Sequence, residues 1–164
     1  ADGALMLVGL HPDSVSAAQR MLQIGAQRGN RDLSSFQTIY ITPTTVDEDG
    51  AKARRWPQQW FRPGQPYLKY PSKSNLFWLR QAGLDLSDDF VPETITDKKA
   101  DAICDAFGLF GTPTECLERL RRAGSESHIE HVFIFPTHTQ DGGYNMPQNE
   151  VDAFKDVIIP GLRE

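Results

Sequence analysis

Residues 111–136 read GTPTECLERLRRAGSESHIEHVFIFP, and the order of chemistry along this stretch decides the fold class. Thr112 is an N-cap residue, Pro113 suits the first helical position, and Glu115 completes a capping box. Leu117 and Leu120 form the buried stripe of the helix begun there. Glu115 to Arg119 and Glu118 to Arg122 are spaced as helical charge pairs, and Gly124 is placed to end the helix. The run His131-Val132-Phe133-Ile134-Phe135-Pro136 follows, apolar on both faces as a parallel strand covered by helices would be.

Outward from that unit the same alternation recurs. Ala4-Leu5-Met6-Leu7-Val8 is a short, continuous apolar run that reads as a buried strand. Asp13 or Ser14 caps a helix over Val15 to Arg28, with Val15, Ala18, Leu22 and Gly25 on one face and Gly29-Asn30 as its stop. Ser35 to Val46, rich in β-branched and aromatic residues, reads as a strand ending near Pro43. Strand, helix, strand is the start of a βαβ pattern.

The middle is less regular. Asp47 to Phe61 reads as a helix interrupted by Gly50 and Pro57, Arg62 to Ser74 as a proline-rich loop, and Asn75 to Ala82 as a short helix closed by Gly83. Thr96 or Asp97 caps a further helix with Ala100, Ile103, Phe107 and Phe110 along one face. Asn149 caps a last helix, with Val151, Phe154, Val157 and Ile158 inward and Pro160-Gly161 as its end. The expectation is an α/β chain of three strands, about residues 4–10, 36–44 and 131–136, in one partial domain over 1–164 with an insertion-like region at about 58–97.

Composition narrows the functional classes. With 17 Lys plus Arg against 22 Asp plus Glu, the 164-residue chain carries a formal charge of −5, which argues against a phosphate-seeking nucleic-acid surface. The longest apolar run falls far short of the roughly 20 residues that span a bilayer. With no signal-like opening, and with Cys104 and Cys116 in helix-like segments, a reduced cytoplasmic protein is expected. The chain opens on Ala1 and is in a strand by Ala4, which suggests a processed or truncated piece, or a removed tag or initiator.

Four stretches in this order resemble the C-terminal part of the luciferase-like flavin- or deazaflavin-dependent oxidoreductases, the family of bacterial luciferase and methylenetetrahydromethanopterin reductase. They are Ala1-Asp2-Gly3 with Ala4 to Gly9, Arg28-Gly29-Asn30-Arg31-Asp32, Gly111-Thr112-Pro113-Thr114-Glu115, and Ala123-Gly124 leading through His131 to Phe135. Pro160-Gly161-Leu162-Arg163 matches the family's tail. The resemblance implies a TIM (β/α)8 barrel with these strands as the sixth, seventh and eighth, under half of a complete barrel. It also implies FMN or a deazaflavin coenzyme, a small-molecule substrate, and a homo-oligomer of the full protein.

In the family, the first half of the barrel and a loop after the fifth strand hold most of the cofactor, and neither falls in this chain. The chain alone is therefore expected to be inactive. Its open strand edges should need the missing N-terminal part of the barrel or a complementary chain.

Active faces of such barrels lie at the C-terminal ends of the strands. The candidates there are His11, Thr42, Thr44, Thr137 and His138, joined by Tyr70 and Lys73 from the loop after the second strand. His11 and His138 either donate to, or exchange a proton with, a cofactor or substrate oxygen, or else precede a helix and occupy a polar loop. The loop with Tyr67, Lys69, Tyr70, Ser72 and Lys73 either closes over an anionic ligand or covers the barrel's side. Trp56, Trp60, Trp78, Phe61 and Phe77 are candidates for a subunit contact. His128 and His131 bracket a strand start without a third ligand, so no zinc site is expected. Arg54-Arg55 and Arg119-Arg121-Arg122 read as solvated helix faces with salt bridges. The rival functional reading is a non-catalytic binding or assembly subunit that keeps part of the fold.

Overall fold

The structure is a computed structural model that describes residues 1–55, 57–58, 72–87, 95–137 and 146–164. Among these, the strands are β1 (Gly3–Met6), β2 (Gln37–Val46), β3 (Leu109–Gly111) and β4 (Val132–Pro136). The helices are α1 (Pro12–Arg28), α2 (Gly50–Ala53), α3 (Lys73–Gln81), α4 (Asp97–Phe107), α5 (Pro113–Ser127), α6 (Gln148–Ala153) and α7 (Ile159–Leu162), with a π-helical turn over Phe154–Ile158 joining the last two.

All pairings are parallel and all run through β2. Tyr40 pairs with both Met6 and Val132, and Thr44 with both Leu109 and Pro136. A strand has only two edges, so β1 and β3 share one edge of β2 while β4 takes the other. The fold class is thus α/β with a parallel sheet; closure into a barrel is not part of the described structure.

β3 is a strand where a continuing helix is expected. Gly108 breaks α4 with an extended backbone, and a Cβ there would lie 2.1 Å from the Pro43 carbonyl oxygen, so only glycine permits this approach. Phe110 accordingly belongs to β3 and not to the α4 stripe.

β2 also runs past Pro43, its expected end, to Val46. The Tyr40 N–H donates to the His131 carbonyl on the β4 side, and alternation therefore turns the Pro43 nitrogen toward the β1/β3 edge. It falls there between the last β1 partner, Tyr40, and the first β3 partner, Thr44, so a residue without an N–H breaks no ladder bond.

Helix ends differ from expectation in instructive ways. His11, not Asp13 or Ser14, caps α1, and Pro12 occupies its first turn. Asp49, not Asp47, caps the short α2. Ser72 and Asn75 form a capping box that starts α3 at Lys73, earlier than expected. The Thr112–Glu115 box forms as read, but α5 runs through Gly124 to a left-handed cap at His128, φ 53°. Of the helical charge partners, Glu118 meets Arg121 at 2.9 Å rather than Arg122.

At the C-terminus, helix starts at Gln148, and the π turn puts Ala153 and Ile158, five apart, inward together while Val151 is exposed. The chain stays helical through Pro160 to Leu162.

Two apolar clusters hold the molecule. One packs β1, β2 and β4 against α1, α5 and the C-terminal helix through Met6, Val15, Tyr40, Leu120 and Ile158. The other gathers Leu76, Leu79, Ile103, Phe107 and Phe110 around α3, α4 and β3. No helix among the described residues is long and apolar enough to cross a membrane.

Candidate functional site

Side chains alternate along a strand, and paired residues in a parallel ladder share a face. Met6, Tyr40, Val46, Val132 and Ile134 face the helices and belong to, or pack on, the first cluster. The register places Leu5, Ile39, Ile41, Phe133 and Phe135 on the opposite face. That second face is as apolar as a core, yet Leu5, Phe133 and Phe135 are 63%, 52% and 48% exposed. The run read as apolar on both sides is so, but only one side of β4 is covered.

At the C-terminal end of this face the chemistry turns polar. The hydroxyls of Thr45 and Thr137 are in direct contact. The Thr137 N–H donates to the Thr44 carbonyl at 2.8 Å, which ties the end of β4 to β2. Glu150, from α6, accepts from the Val46 N–H at 3.1 Å and anchors the end of β2.

The candidate residues separate by face. Thr42 and Thr44 are fully buried on the helix side, and their hydroxyls donate to the carbonyls of Tyr40 and Thr42 at 3.2 and 2.9 Å. His11 lies after β1, where its Nδ1 accepts from the Asp13 N–H at 3.3 Å and so serves the start of α1. Lys73 is exposed in the first turn of α3. Among the described candidates Thr137 alone stands on the uncovered face, and the structure brings it to Thr44 only through that residue's carbonyl. Tyr70 and His138 lie outside the described residues, as do Tyr67, Lys69, Trp56, Trp60 and Phe61.

Sequence reading passed over Thr45. Strand parity counted from the core aromatic Tyr40 finds it, because odd-numbered positions of β2 must face away from the helices.

An apolar groove of ≈ 370 Å³ continues the uncovered face around the free edge of β1, between Leu5, Leu7, Met21, Leu22 and Trp78. Met21 and Ile24 of α1 are about half exposed beside it. Among the described residues, no cluster of His, Cys, Asp or Glu could hold a metal ion. Cys104 and Cys116 are free and buried; burial pushes the Cys116 thiol up to about 12 and raises that of Cys104 as well.

The described residues do not by themselves fit a flavin or deazaflavin. They offer an apolar wall and two hydroxyls, whereas a cofactor phosphate wants several convergent N–H or cationic donors. The hydroxyl protons of Thr42 and Thr44 go to backbone carbonyls, and His11 Nδ1 is an acceptor here.

No model of a protein family matches the chain, and no curated protein matches it. Solved structures do. The coenzyme F420 dependent tetrahydromethanopterin reductase from Methanopyrus kandleri superposes with a TM-score of 0.60 at 15% identity, over 98% of this chain and 45% of that one. A riboflavin lyase, solved with modified FMN and its substrate riboflavin, superposes with a TM-score of 0.54 at 16% identity, over 99% of this chain and 38% of that one. The chain therefore spans less than half the length of either, and the likeness is one of fold: its parallel α/β arrangement matches a portion of each.

Proposed function

We propose that this chain is the C-terminal part of a luciferase-like oxidoreductase or monooxygenase working with a reduced flavin or deazaflavin, in which it forms the substrate end of the pocket. The observation that carries the reading is the uncovered sheet face. Leu5, Ile39, Ile41, Phe133 and Phe135 alternate in register along three neighbouring strands. A surface of that composition belongs inside a closed barrel, and the Thr45–Thr137 pair would then stand at the strand ends where barrel sites form.

The remaining strands, whether from the same polypeptide or from a complementary chain, would cover this face and the free edge of β1, and would carry the cofactor phosphate. The cofactor supplies the redox chemistry when bound. The residues of this chain line the pocket, exclude water with the two phenylalanines, and offer a substrate oxygen the hydroxyls of Thr45 and Thr137.

The intact mass and visible spectrum of the protein isolated from its source test this. The expected result is a mass more than twice the 18.4 kDa of these residues, together with a flavin or deazaflavin absorption band. A stable, colourless protein of 18.4 kDa would replace the reading with that of a binding or assembly subunit.

A further inference from the structure

We draw no further inference here: the strongest candidate, the apolar groove between α1 and α3 at the free edge of β1, lined by Leu5, Leu7, Met21, Leu22 and Trp78, continues the uncovered face already described, and nothing in the structure shows what covers it.

Discussion

Leu5 and Met6 are adjacent in β1, yet Met6 is 9% exposed within the helix-side cluster and Leu5 is 63% exposed on the opposite face. The contrast repeats across the sheet, with Tyr40 and Ile134 on one side and Phe133 and Phe135 on the other. Burial, not composition, distinguishes the two faces. Large apolar patches are seldom exposed on soluble monomers, and on the reading proposed above the remaining barrel strands would cover this one.

Substitutions can break or sharpen this comparison. The largest loss is expected on the helix side: Tyr40→Ala, at a residue 1% exposed, should cost about 3–5 kcal/mol in urea unfolding, as for other large buried aromatics. Next comes Gly108→Ala, whose methyl would be driven into the Pro43 carbonyl. It should cost ~2 kcal/mol or more and detach β3 from β2, visible as faster amide exchange at Leu109 and Phe110. Thr112→Ala removes one side of the capping box and should cost about 1 kcal/mol by the same unfolding measurement.

The smallest effect belongs to the uncovered face. Leu5→Ala should change the stability of this chain by no more than about 0.5 kcal/mol. In a protein that carries the covering strands the same substitution should become costly, by ~2 kcal/mol or more. A Leu5→Ala loss equal to that of Tyr40→Ala in this chain alone would mean that the face is already covered.

The buried thiols add a pH dependence of defined sign. In the fold the Cys116 thiol is raised from its ordinary 9.0 to about 12 by burial, with Glu115 and Glu150 adding to the rise. Between those values the unfolded chain sheds a proton that the folded chain keeps. Stability should therefore be intact below about pH 9 and fall as pH rises toward 12, Cys104 acting in the same direction. Urea midpoints measured across that range should decline, and Cys116→Ala together with Cys104→Ala should flatten the decline.

What the sequence made legible was local. The Thr112–Glu115 box, the cap at Thr96 and the two long helices rest on contacts within a few residues. β1 and β4 were readable from apolar runs. β3 was not, because its partners Thr44 to Val46 are remote in the chain and Phe110 mimics the next step of a helical stripe.

The true end of β2 depended on which edge Pro43 presents, and that is fixed only once β1, β3 and β4 are all placed. The candidate site suffered for the same reason: Thr42 and Thr44 were chosen at an expected strand end, while parity assigns the open face to Thr45 and Thr137. Arg119 read as one more solvated cation, whereas its Nε and Nη2 are buried.

The order of pairing along β2 has a consequence for synthesis. β1 reaches its place soon after β2 leaves the ribosome, but the opposite edge of β2 waits for β4, and translation at about 5–20 residues per second makes that wait on the order of 5–15 s. For that time the nascent sheet shows a row of unpaired amides beside an apolar face. Until β4 arrives, that edge and that face are open to pairing with other chains.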